Sequence, residues 1–266
     1  MILRLITSFL SLVLITGCTQ KQSEISIPFA LEFGGQPILC GPAESATVLS
    51  DMRFYVSDLE VMTEEGESAG IALVPDGAWQ HEDIALLDFE DGTDSCDNGT
   101  TEVNSTIHAR LAQGDYRGLR FTVGVPFDRN HGDPLLAQPP LDDSAMHWHW
   151  RAGYKFLRGG VRSADDSFWI HLGSTGCQGT VGNISACSKP NRVVVELPGF
   201  VPGRDAVVVS LSALTEGADL GDTIASDCSS GPSEEACAAP FAALGLQFDG
   251  NGEPATQTVF GRREIE

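Results

Sequence analysis

Basic residues are scarce in this chain: 16 Lys and Arg stand against 37 Asp and Glu, a formal net charge of −21. So negative a surface repels phosphate backbones, which excludes general nucleic-acid binding. Long apolar runs are also missing. The stretch from Leu5 to Ile15 is too short for a membrane span, and no stop-transfer pattern follows it. No Cys-x-x-Cys pair occurs, so a thiolate metal site of the zinc-ribbon kind is not expected. There is no phosphate-binding loop, no internal repeat and no convincing long amphipathic helix.

Turn-formers and short β-type runs are abundant. The 266 residues include 29 Gly and 14 Pro, and 42% are hydrophobic, enough for a sizeable core. Runs that alternate or are β-branched recur at 25–33, 52–62, 116–125, 146–157, 167–172, 192–197 and 206–211, separated by Gly, Pro, Asn and Asp clusters. Residues 101–113 are a candidate helix, and 233–239 a short one stopped by Pro240. This pattern predicts a single all-β domain, a β-sandwich with long loops, over residues 25–266.

The first seventeen residues read as an address. Arg4 precedes the apolar run, and Ile15-Thr16-Gly17-Cys18 resembles a bacterial lipobox, in which Cys18 becomes the lipidated N-terminus. Thr19 rather than Asp after Cys18 favours the outer membrane, so the expected location is the periplasm or cell surface, on a lipid anchor. Residues 18–24 are expected to form a polar tether. Removing residues 1–17 deletes one basic residue, Arg4, and leaves the balance more acidic still. Setting Cys18 aside leaves Cys40, Cys96, Cys177, Cys187, Cys228 and Cys237, an even count that predicts three disulfides in an oxidising compartment. Fifteen pairings are possible. The economical one joins Cys177 to Cys187, Cys228 to Cys237 and Cys40 to Cys96.

The candidate chemistry is concentrated in histidine and tryptophan. Of six histidines, His131, His147, His149 and His171 fall in one window that also holds three of the four tryptophans. Drawn as a strand, Met146-His147-Trp148-His149-Trp150 places the two histidines on one face and Met146, Trp148 and Trp150 on the other. Either His147, His149 and a distant His171 form a three-histidine site, or the tryptophan face is functional and loop histidines approach it. His131 lies in a turn-rich loop and His171 at a strand end. Imidazole suits zinc and copper, and nitrogen sites bind copper most tightly among first-row divalent ions. His81 and His108 read as surface residues. Asp88 to Asp94, with Asp97 and Asn98, offers oxygens for calcium but lacks EF-hand spacing and reads as a solvated acidic loop. Ser174 beside His171 has no assigned acid, so no hydrolase triad is expected.

Five motifs occur in order: Arg53-Phe54-Tyr55-Val56-Ser57; Leu86-Leu87-Asp88-Phe89; Gly124-Val125-Pro126 with Asn130-His131; Met146-x-Trp148-x-Trp150-x-x-Gly153-Tyr154-Lys155-Phe156; and His171 through Cys177. Together they resemble the MbnP family of secreted copper-binding proteins, related to the methanotroph proteins MopE and CorA, over about residues 27–260. The resemblance implies a mononuclear copper site of two histidines and a tryptophan oxidised to kynurenine. The oxidation is the work of a partner, a MauG-like dihaem peroxidase of the MbnH type. It implies no turnover by the chain itself. Carried onto this sequence, the histidines are His131 and His171, and the tryptophan is Trp148, with Trp150 as the alternative. His147 and His149 depart from the usual pattern and stand as additional or substitute ligands. Tyr154 and Lys155 would need buried partners, for which Asp133 or Asp128 is available. Two other readings are a three-histidine metalloenzyme built on His147, His149 and His171, and a surface β-module stabilised by calcium and disulfides.

Overall fold

The computed structural model describes residues 21–42, 47–163, 166–217, 227–231, 234–248 and 255–265. The expected signal segment and Cys18 lie outside these residues. The strands in chain order are β1 (Gln22–Phe33), β2 (Gln36–Pro37), β3 (Val48–Thr63), β4 (Ser68–Gly70), β5 (Ala72–Leu73), β6 (Gln80–His81), β7 (Ile84–Asp88), β8 (Thr106–Ala112) and β9 (Tyr116–Val123). The short helix α1 (Phe127–Asn130) follows, then β10 (His147–His149), β11 (Gly153–Arg162), β12 (Ser167–Gly173), β13 (Thr175–Thr180), β14 (Asn183–Lys189), β15 (Val193–Pro198) and β16 (Asp205–Ser210). Helix α2 (Leu211–Thr215), a 3-10 turn (Glu235–Cys237), α3 (Ala238–Ala243) and β17 (Phe260–Glu264) close the chain. No helix of the described residues is long and apolar enough to cross a membrane.

Two sheets carry the fold. One runs β17-β16-β1-β8-β5, with β2 on β1; the other is built on β10-β11-β3-β7-β6, with β12 on β11, β9 on β3 and β15 on β9. β1 and β16 pair in parallel, and their other neighbours are antiparallel. The sheets meet through phenylalanines from both. Phe29 of β1 and Phe260 of β17 face Phe54 of β3 and Phe121 of β9 edge-on, with ring centroids 5.6–5.9 Å apart. Each such buried ring contributes about 1.5–3 kcal/mol by leaving water. The all-β sandwich expected from the strand pattern is the fold observed.

Several elements differ from expectation. Residues 101–113 are not helical. Ile107, Ala109 and Leu111 are buried while His108 and Arg110 are exposed, a period of two that makes β8, paired along its length with β1. That pairing draws in residues 22–24, placed in the tether by sequence, so β1 begins at Gln22 opposite Ala112. Pro240 does not stop a helix; it sits in the first turn of α3, where a missing N–H costs nothing. The run 146–157 is two strands, because Gly153 turns at φ +80 and the chain folds back as the β10–β11 hairpin. Met146 is thereby fully buried, while Trp148 and Trp150 remain half-buried at the surface. The disulfides are Cys40–Cys96, Cys177–Cys187 and Cys228–Cys237.

Candidate metal centre

The β11–β12 pair forms the floor of the site. On β12, alternate residues turn inward, so Phe168, Ile170 and Leu172 enter the core and Trp169 and His171 share the outer face. Arg158 of β11 lies opposite His171 in register. The β10 strand folds over this face. Trp148 packs across Gly173, where a Cβ would stand 3.3 Å from its ring atoms and 2.9 Å from the Tyr154 carbonyl oxygen. The Trp148 ring then meets His171 edge-on, centroids 6.1 Å apart, and Trp169 also flanks His171, its ring tilted, at 6.3 Å. The His171 backbone is fixed in turn. Its N–H donates to the Cys228 carbonyl at 2.7 Å, and its carbonyl accepts from Ser230 Oγ at 2.8 Å.

His131 comes from the end of α1. Asn130 anchors it: Asn130 Nδ2 donates to the Ala152 carbonyl at 3.0 Å, and its Oδ1 accepts from the Tyr154 N–H at 2.9 Å. The loop therefore locks onto the turn of the β10–β11 hairpin. There the His131 ring packs against Phe127 and presents Nε2 to Cys187 Sγ at 3.5 Å. A cleft of about 260 Å³ opens beside this turn, lined by His149, Arg151, Ala152 and Ser174 through Cys177.

Burial keeps the imidazoles neutral. His171 is pushed down to about 4, chiefly by desolvation and then by the charges of Lys155 and Arg158. His131 is lowered by desolvation, opposed by the nearby Trp150 backbone; its Nδ1 is buried without a partner in full hydrogen-bond geometry. His147 is lowered by desolvation and then by His149 and Lys155. The Nε2 atoms of His147 and His171 are both buried and unpartnered. A neutral imidazole with a free buried nitrogen is the form a metal ion takes.

The structure separates the sequence candidates. Trp148 and His171 are in contact, and Asn130 fixes the His131 loop to the turn of the same hairpin. Trp150 instead lies under the Arg151 guanidinium, 4.9 Å from its ring centroid. His147 meets Tyr154 edge-on, while the exposed His149 spends Nδ1 accepting from the N–H groups of Arg151 and Ala152. Among the described residues, His147, His149 and His171 do not bring three nitrogens within 4.8 Å of one another. The partners of Tyr154 and Lys155 are backbone carbonyls, of Leu141 and Ala145, rather than Asp133 or Asp128. His81 and His108 are exposed, as expected. The acidic loop is only partly solvated. Asp88 and Glu90 are buried toward Arg53, and Asp91 accepts from the N–H and hydroxyl of Thr93.

The sequence model of the MbnP family matches residues 22–230. The chain belongs to the MbnP family. Among solved structures, MbnP from Methylosinus trichosporium superposes with a TM-score of 0.78 at 28% identity, covering 92% of this chain and 100% of that one. No curated protein matches.

Within this MbnP fold, three features escaped the sequence reading. Trp169 flanks His171, as the period of two in β12 implies. Asp51 binds Arg53 bidentately at 2.6 and 3.1 Å and pairs with Arg158 at 3.0 Å, so a buried ion network underlies the site floor. The pentapeptide Gly66-Glu67-Ser68-Ala69-Gly70 has the spacing of a hydrolase nucleophile elbow, but here it forms the β3–β4 hairpin with Ser68 exposed. A nucleophile elbow needs a strand-to-helix turn.

Proposed function

We propose that this MbnP-family chain is an exported copper-binding protein without turnover of its own. It is carried on a lipid at Cys18 to the periplasmic or outer face of the outer membrane. Its ligands are His131, His171 and a kynurenine made from Trp148. The observation that carries this reading is the contact of the Trp148 ring with His171, whose buried Nε2 has no protein partner. An intact indole offers a metal only an N–H donor, whereas ring opening produces an aniline nitrogen and a ketone. A site of two imidazoles and an aniline nitrogen suits copper.

The chain's own residues prepare this site. Desolvation holds His171 unprotonated at neutral pH. Gly173 lets the Trp148 ring approach β12 closely, and Asn130 fixes the His131 loop to the hairpin. Trp148 is favoured over Trp150 for oxidation because a guanidinium over the Trp150 face opposes formation of positive charge on that ring. A MauG-like dihaem peroxidase supplies the oxidising equivalents.

Copper titration of the native-host protein tests the ligands. His131→Ala and His171→Ala are each expected to weaken binding sharply. Unchanged affinity in both refutes the assignment, and loss of copper in His147→Ala/His149→Ala instead supports the three-histidine enzyme.

A further inference from the structure

The β13–β14 hairpin stands apart from both sheets as a two-stranded unit with most of its residues exposed. Cys177 and Cys187 face each other directly in its register and form its disulfide. Each of the other two bridges includes at least one fully buried cysteine: Cys96 in one, Cys228 and Cys237 in the other. Cys187 is half-buried and Cys177 keeps 9% exposure; Cys40 is half-buried too but its partner Cys96 is fully buried. The Cys177–Cys187 bridge, on a hairpin outside both sheets, is therefore the more accessible to a reductant by that small margin. His131 Nε2, 56 residues away in sequence, points at Cys187 Sγ from 3.5 Å. The three donor atoms of His131, Cys177 and Cys187 lie within 4.8 Å of one another.

We infer that reduction of Cys177–Cys187 creates a second metal site here, with two thiolates and the His131 imidazole binding Cu(I). The disulfide takes two electrons and two protons from a dithiol reductant, which becomes a disulfide, and leaves two thiols. Metal binding then displaces the two thiol protons. With metal–sulfur and metal–nitrogen bonds of about 2.3 and 2.0 Å, three donors spread around one ion lie roughly 3.7–4.0 Å apart. The sulfurs therefore need only separate across the strand pair, while His131 is already in place. Both strands remain held at their roots. Ser174 Oγ donates to the Pro190 carbonyl, Asn191 Nδ2 to the Gly173 carbonyl, and Lys189 Nζ to the Phe248 carbonyl. Soft thiolates in a low-coordinate set select Cu(I). This site shares His131 with the one proposed above but uses neither His171 nor Trp148, and it does not rest on tryptophan oxidation.

The test uses the full chain produced without a haem peroxidase, so Trp148 stays an indole. The protein is reduced with an immobilised phosphine, separated from it under nitrogen and titrated with Cu(I) against a chromophoric Cu(I) chelator. Circular dichroism checks the fold, and peptide mass mapping of alkylated cysteines reports which thiols are free. One equivalent of Cu(I) is expected in the reduced protein and not in the oxidised one, with Cys177 and Cys187 protected from alkylation once it is bound. Cys177→Ser/Cys187→Ser should abolish this equivalent. His131→Ala should weaken it by at least the roughly 10–100-fold that loss of a mere supporting contact costs, and His171→Ala should leave it unchanged. The inference is overturned by no uptake when both thiols are free, by uptake that survives the double serine variant, by indifference to His131→Ala, or by unfolding of the reduced wild-type chain.

Discussion

At the scale of single residues, the buried charges around Arg53 create a pH dependence opposite to that of an ordinary surface carboxylate. Desolvation pushes Asp88 up to about 8, and Arg53 only partly opposes it. Unfolded Asp releases its proton near pH 4, so between about 4 and 8 the folded chain binds more protons than the unfolded one. This contribution is fully present below about pH 4 and is lost as the pH rises toward 8. Asp88→Asn removes it. Melting curves of the two proteins should coincide near about pH 4 and diverge in favour of the variant by about pH 9, by on the order of a few kcal/mol; parallel curves would show that Asp88 is not held neutral. Gly173→Ala acts on the site itself. Its methyl meets the Tyr154 carbonyl at 2.9 Å and the Trp148 ring at 3.3 Å. It should cost about 1–3 kcal/mol in denaturant melts and should shift the fluorescence of Trp148 as the ring leaves His171. The site's residues were legible as types and spacings, His131 in a loop and His171 at a strand end. Their contacts were not: the approach of His131 to Cys187 and the hold of Cys228 on the His171 backbone depend on how distant strands pair.

Among the elements, strands whose apolar residues alternate or crowd together were legible: β1, β3, β9, β12, β15 and β16 all overlap their expected runs. β8 was not, because Ala, Arg, Leu and Gln in 101–113 favour a helix locally, and pairing with β1 overrides that preference. The β13–β14 hairpin was invisible for a different reason. Its exposed polar residues have no buried face to write a period into the sequence, and its geometry is set by Gly182 at the turn and by the Cys177–Cys187 bridge. The β10–β11 hairpin depends on Gly153, whose φ is +80 and whose added Cβ would fall 2.0 Å from the Asn130 carbonyl oxygen. Gly153→Ala therefore combines left-handed strain, roughly 1–2 kcal/mol, with displacement of the α1 loop. Hydrogen exchange should show faster opening of residues 127–133 in this variant than in wild type. Equal protection would mean that Asn130 does not lock the loop to the hairpin.

For the whole molecule, a net charge of −21 is carried mostly outside the core, where it promotes solubility and opposes compaction through self-repulsion. The proposed copper ligands are neutral nitrogens, so this charge is not the binding determinant that acidity alone suggests. Screening should raise the melting temperature between about 0.02 and 0.3 M NaCl, measured by calorimetry. A flat or falling curve would mean that exposed ion pairs such as Arg110–Glu24 and Arg204–Glu264 offset the repulsion. Trp148 and Trp169 both meet the half-buried His171, but the Arg158 guanidinium lies 5.7 Å from the Trp169 ring centroid while none lies over Trp148 among the described residues, and the functional account depends on that placement. Peptide mass mapping of the chain produced together with a dihaem peroxidase tests it most directly. The account predicts that residue 148 has lost the indole C2 carbon and gained an oxygen, while Trp150 and Trp169 remain intact. An unmodified Trp148, or oxidation confined to Trp150 or Trp169, would contradict it.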